Sequence, residues 1–168
     1  MEEFSINAAN NSAAFFRFIN NPVKVRLFLL KNLPAAYFSG LQIIKINEKE
    51  CIVSVPFKWF TRNPFRSTYF ACLSMAAELS TGALGMANIY KRKPAVSMLI
   101  VSNEGKFFKK ATGITVFTCS DGEAISNLID EAIRTGAPQT IITKSAGYNE
   151  QKELVAEFTF TWSFKSKK

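Results

Sequence analysis

Residues 67–89 read STYFACLSMAAELSTGALGMANI, 23 positions with one charged side chain, Glu78. About twenty apolar residues are enough to cross a bilayer. Here a carboxylate lies near the middle, Ser, Thr, Asn and Gly are scattered through the stretch, and no second such stretch exists. A helix that is apolar nearly all round in a globular chain is a central helix, covered on most sides. One acid on such a helix is either buried and paired, or set where a ligand or a reaction needs it. Within the helix, Ala71, Ser74, Glu78, Thr81 or Gly82, and Gly85 recur at three- and four-residue spacing. They form a face of small residues that admits close approach of a sheet or of a ligand.

Outward from this helix, the chain reads as one domain of 168 residues, a helical segment at 12–33 covering one end of its core. Apolar residues at 48% against 20% charged exclude a disordered chain. The net charge of +8 points to an anionic partner, whether nucleic acid, a membrane surface or a phosphorylated small molecule, or to an ordinary basic surface. Cys51, Cys72 and Cys119 are widely spaced, which fits reduced, buried thiols and a cytoplasmic protein. The acidic, polar amino end does not resemble a signal peptide. No histidine is present, which excludes a Ser-His-Asp triad, a Cys-His pair and the common zinc sites. No metal site or bound cofactor is expected. An enzyme of this composition must draw its acid or base from a carboxylate, Tyr, Lys or Cys.

Before the central helix, residues 12–33 read as two helices, the first from 13 to 19 and the second opened by Asn21 and Pro22. Val23, Leu27 and Leu30 fall on one face and are expected to be buried, and Pro34 ends the segment. Ile44 and Ile46, then Ile52, Val53 and Val55, alternate as two strands joined by a turn at 47–50. Ser67 or Thr68 is the expected cap of the central helix. Beyond it, residues 95–102, 106–111 and 112–119 have strand composition, with a turn-like Asn103-Glu104-Gly105 that leaves a hairpin or one long strand open. Ser120 and Glu123 predict a capping box for a helix over 121–135, with Ile125, Leu128, Ile129, Ala132 and Ile133 as its apolar stripe. Strands at 139–146 and 154–165 follow; in the last, Phe158, Phe160, Trp162 and Phe164 alternate with polar residues. Strands here mostly follow strands, so the class is α+β, with one long helix wrapped by an antiparallel sheet.

The string NPFRSTYFACLSMAAE at 63–78 resembles the entry to the central helix of hotdog-fold thioesterases, the phenylacetyl-CoA thioesterase group and its relatives of unknown function. In that group an Asn precedes a His-Gly-Gly turn by six positions, and an Asp or Glu follows the His by nine. Asn63, Tyr69 and Glu78 keep both spacings, and FFKKA at 107–111 is similar to the family's aromatic-basic-Ala strand motif. Tyr69 stands in place of the His, and Phe70 and Ala71 in place of the glycines.

The resemblance covers residues 38–165, with 1–37 as a helical cover, and implies a hotdog fold and hydrolysis of an acyl-CoA thioester, coenzyme A being part of the substrate. Glu78 would activate water or attack the thioester, Asn63 would orient it, and Tyr69 would donate to the carbonyl oxygen. The helix-start amides of Phe70 and Ala71 would polarise that carbonyl. Lys91, Arg92, Lys93, Lys109 and Lys110 are candidates for the coenzyme phosphates. The resemblance also implies a homodimer or a dimer of dimers, each pocket drawing on two subunits. The departures at positions 69–71 support an alternative, a non-catalytic protein that binds an acyl ligand. Nucleic acid is not an expected partner, because the basic residues are dispersed and no recognition motif occurs, and the polar groups within 67–89 argue against a membrane.

Overall fold

The computed structural model describes the backbone of residues 2–167 and the side chains of residues 11–167. Three helices come first: α1 (Glu2–Ile19), α2 (Pro22–Asn32) and α3 (Pro34–Ser39). Strands β1 (Gln42–Ile46) and β2 (Cys51–Val55) follow, then a 3₁₀ turn (Trp59–Thr61) and the central helix α4 (Phe70–Ile89). The chain continues through β3 (Val96–Phe107), β4 (Thr115–Cys119), α5 (Gly122–Thr135), β5 (Gln139–Tyr148) and β6 (Leu154–Ser166).

The six strands form one antiparallel sheet in the order β1-β2-β4-β5-β6-β3. The sheet curves round α4, which touches β2 to β6, while α1, α3 and α5 pack on other sides of the same helix. That wrapping explains why α4 is apolar nearly all round. Among the described residues it is the one helix long and apolar enough to cross a membrane, and two-thirds of its most apolar window is buried within the protein. Phe158, Phe160, Trp162 and Phe164 of β6 are all buried beneath it. Each such aromatic contributes roughly 1.5–3 kcal/mol by leaving water.

Small residues let the helix approach the sheet. A Cβ on Gly85 would stand 2.9 Å from Met98 Cε and 3.2 Å from Phe164 Cζ. At the start of α5 a Cβ on Gly122 would lie 2.1 Å from the carbonyl oxygen of Glu48. The turn between β1 and β2 therefore fits against α5 only because residue 122 has no side chain.

Several local expectations are corrected. The first helix begins at Glu2 rather than near Ser12. On α2 the buried residues are Val25 and Leu29, whereas Val23 (67% exposed), Leu27 (62%) and Leu30 (42%) face outward. The helix is apolar on both sides, so spacing alone selects neither. Pro34 ends one helix and opens the next, as the first residue of α3.

Residues 103–105 do not turn. They continue β3 as one strand paired with β6 from Val96 to Phe107, with a one-residue slip at Val101. Strand β4 begins at Thr115, three residues later than expected. The cap of α5 is Asp121 and no side-chain capping bond forms. Asp121 Oδ2 instead accepts from the backbone N–H of Lys144, and Glu123 pairs with Lys49 at 3.1 Å.

Candidate functional site

The chain enters α4 through a loop that Asn63 organises. Its Oδ1 accepts from the N–H groups of Phe65 (3.0 Å) and Ser67 (3.2 Å), and its Nδ2 donates to Ser67 Oγ (3.1 Å). An Asn side chain that replaces backbone partners in this way fixes a tight turn. The loop is tied to its surroundings by Thr68 N–H to the carbonyl of Ala111 (2.7 Å) and Tyr69 N–H to that of Thr61 (2.7 Å). Thr61, wholly buried, donates in turn to the carbonyl of Pro56 at 2.8 Å.

The expected cap is therefore corrected. Ser67 and Thr68 spend their hydroxyls on Asn63 and on Ala111, and the N-cap is Tyr69, with no side-chain capping bond. Cys72 N–H and Leu73 N–H reach back to the carbonyl of Tyr69. The N–H groups of Phe70 and Ala71 have no partner among the described residues. A helix start with two free amides carries partial positive charge and favours an anionic or developing-negative oxygen.

Beside this helix start lies a cleft of about 730 Å³, lined by Asn63, Phe65, Tyr69, Phe70, Leu73, Phe107 and Phe108, with Arg62, Lys109 and Lys110 among its lining residues. The size and the apolar lining suit a small-molecule site. Lys109 is committed to Glu153 at 2.5 Å, an ion pair that holds the Glu153 carboxyl below its ordinary range. Arg62 and Lys110 have no acidic partner among the described residues. Tyr69 is half exposed, with its ring 4.9 Å from that of Phe70.

Glu78 does not line this cleft. Nine residues separate it from Tyr69, about 13 Å along a helix. Its carboxylate lies over Gly82, where a Cβ would stand 3.0 Å from Oε1 and 3.3 Å from Trp162 Cζ2. Glu78, Gly82 and Gly85 share one face of α4, and that face meets Trp162 and Phe164 of β6 and Met98 of β3. Trp162 Nε1 donates to Thr81 Oγ1 at 3.0 Å, so the indole does not serve the carboxylate. No hydrogen bond to the Glu78 carboxylate occurs among the described residues, and burial alone pushes its carboxyl above the usual range.

Of the residues singled out in the sequence, Asn63, Tyr69, Phe70, Lys109 and Lys110 come together at the cleft. Ala71, at the same helix start, is half-buried beside it. Lys91, Arg92 and Lys93 follow the far end of α4, about 30 Å from the helix start. Arg92 there pairs with Asp130 of α5. Arg62, Phe65, Phe107 and Phe108 also line the cleft, although the sequence assigns none of them a role there. Their signal was available, since Phe65 lies in the loop before the helix and two adjacent aromatics precede Lys109 and Lys110.

No family model matches the chain, and no curated protein is significantly similar in sequence. Solved structures do match. A Pseudomonas aeruginosa protein of unknown function, described as a probable thioesterase, superposes with a TM-score of 0.73 at 23% identity over 87% of this chain and 97% of that one. The E. coli PaaI protein of the phenylacetic acid degradation operon gives 0.61 at 12% identity over 92% and 96%. A Haemophilus influenzae thioesterase gives 0.57 at 11% identity over 87% and 91%. With a helix wrapped by a curved antiparallel sheet, the chain has the hotdog fold of these neighbours.

Proposed function

We propose, from the hotdog fold held in common with these proteins, that the chain hydrolyses acyl thioesters, with an acyl-CoA as substrate and a homodimer as the working unit. One observation carries the reading: an apolar cleft with unpaired cations among its lining residues lies where the N–H groups of Phe70 and Ala71 have no partner. An acyl group fits the aromatic lining, and the unpaired Arg62 and Lys110 suit the phosphates of a coenzyme, with Lys109 able to join them only by leaving Glu153.

Glu78 is the proposed base. Its carboxylate takes a proton from water, the oxygen attacks the thioester carbon, and the oxyanion accepts from the amides of Phe70 and Ala71. The C–S bond then breaks and the thiolate takes the proton back, leaving acid and free thiol. Tyr69, which lines the cleft, would add a hydroxyl donor to the oxyanion.

Because Glu78 and the helix start are far apart in one chain, the site is proposed to be shared between two copies. Strand β3 is an open edge with exposed Leu99 (68%) and Val101 (59%), and open edges pair readily. Two β3 strands meeting across a two-fold axis would run the two central helices antiparallel. That arrangement would turn the second copy's Glu78 face, and its Lys91, Arg92 and Lys93, toward the first copy's cleft. The buried, unbridged cysteines suit the reducing compartment proposed for the protein, the cytoplasm.

A second reading, binding of an acyl ligand without turnover, is favoured by Asn63, whose amide is consumed by its own loop and not held toward a water. A panel of acyl-CoAs with detection of free thiol separates the two. Hydrolysis predicts thiol release that Glu78→Gln abolishes. Saturable binding with no release supports the second reading, and release unchanged in Glu78→Gln removes Glu78 from the mechanism.

A further inference from the structure

Helix α2 exposes Val23, Leu27 and Leu30 on one face, with Lys24 and Lys31 along one side of the stripe and Arg26 along the other. The apolar surface continues past the helix. Arg26 lies over the Tyr37 ring at 4.0 Å, Tyr37 meets Phe38 edge-on at 5.4 Å, and Phe38 stands 6.3 Å from Phe60. Phe60 and its neighbour Trp59 (76% exposed) lie on the 3₁₀ turn, between exposed Lys58 and Arg62.

Charge is segregated around this face. Residues 4–47 contain no Asp or Glu and five Lys or Arg, and residues 51–77 contain no Asp or Glu and three Lys or Arg. Lys24, Arg26, Lys31, Lys58 and Arg62 have no ion-pair partner among the described residues.

We infer that this face docks peripherally on an anionic lipid bilayer, α2 lying in the plane of the headgroups with Trp59 and Phe60 inserted beside it. An apolar stripe flanked by basic side chains, with aromatics at the boundary, is the chemistry of an interfacial helix. The lysines meet anionic headgroups while the leucines enter the acyl boundary. A second copy of this chain is a poor occupant, since it would set Lys24, Arg26 and Lys31 against their own equivalents with no acid between. Nucleic acid would use the cations but leave the stripe and the tryptophan in water. The inference does not depend on thioester hydrolysis. Arg62, which also lines the cleft, directly follows this turn, so the docked face adjoins the cleft mouth.

The test is partition of the full-length protein onto phosphatidylglycerol-containing vesicles, read by co-sedimentation and by tryptophan emission. The chain has two tryptophans, and Trp162 is buried, so Trp59 reports insertion. Anionic vesicles are expected to shift the emission to the blue, and Trp59→Phe to remove that shift. Lys24→Ala with Lys31→Ala is expected to weaken partition by more than about tenfold, as is raised salt. Leu27→Gln is expected to weaken it by roughly tenfold with the fold unchanged by circular dichroism. Equal partition onto phosphatidylcholine vesicles overturns the inference, and so does partition unaffected by both variants. A shift in oligomeric state in Leu27→Gln would assign the face to a second copy instead. Binding of RNA or an acidic protein, with none to vesicles, would assign it to that partner.

Discussion

At Glu78 burial does two things at once. It makes the carboxylate a stronger base than one in water, and it strips part of the water from a charge that no described residue hydrogen-bonds. A folded-state pKa above the unfolded value means that the native chain holds its proton more tightly. The ionised group therefore destabilises the fold once pH rises through the folded pKa, and the effect vanishes below the unfolded one. Glu78→Gln is expected to raise the thermal midpoint at pH 7 and to leave it unchanged near pH 3, measured by calorimetry. The same substitution should lower kcat for thioester hydrolysis by about 10²–10⁴. In the unmodified protein the rate should fall with acid at a pH above the ordinary carboxylate range. Phe70 allows a complementary test. Proline is tolerated at the first position of a helix, and the extended backbone of Tyr69 suits a residue before proline. Phe70→Pro removes one free amide and should cost about 10²–10³ in kcat relative to Phe70→Ala, which removes the ring alone.

Among the elements, the last strand and the central helix are legible because their signals are redundant, whereas the turn-like residues 103–105 hide the continuity of β3. In β6 four aromatics alternate over seven residues, and α4 has a single charge in twenty. Helix α5 could be read from its stripe, bounds included, but the absence of its capping box could not. Asp121 is drawn to Lys144 on a strand far along the chain, a contact that local spacing does not contain. The same holds for the central helix, where Thr68 leaves the capping position for Ala111. Helix α2 was misread for a different reason, since hydrophobic side chains occupy both its faces and only packing against Phe18 and its neighbours selects one. The loop around Asn63 could be recognised as a site boundary, but the placing of the Glu78 carboxylate over Gly82, close to Trp162 and away from the cleft, is set by β6, which spacing along one helix cannot reveal. Gly122 shows how an element junction depends on one missing side chain. Gly122→Ala would force the 47–50 turn off α5 and should cost about 1–3 kcal/mol in a denaturant titration, with the largest loss of amide protection at that turn.

For the whole molecule, the proposed shared site would draw on two features at once, the open β3 edge and the separation of Glu78 from the cleft. Leu99→Lys sets a charge on the exposed face of that edge, with Lys165 and Ser163 of β6 for neighbours. If the β3 edge is the contact, light scattering should show monomers at concentrations where the unmodified protein is dimeric, and hydrolysis should be lost with the dimer.

Subunit mixing measures this shared site most directly. Glu78→Gln and Phe70→Pro copies are each expected to release almost no thiol from an acyl-CoA, because each leaves both sites of its dimer defective. Unfolded together and refolded as mixed dimers, they should regain thiol release at up to about a quarter of the unmodified rate, since half the dimers would carry one intact site of two. Mixed dimers that form and stay inactive, or an unmodified protein that releases no thiol from any acyl-CoA, would contradict it.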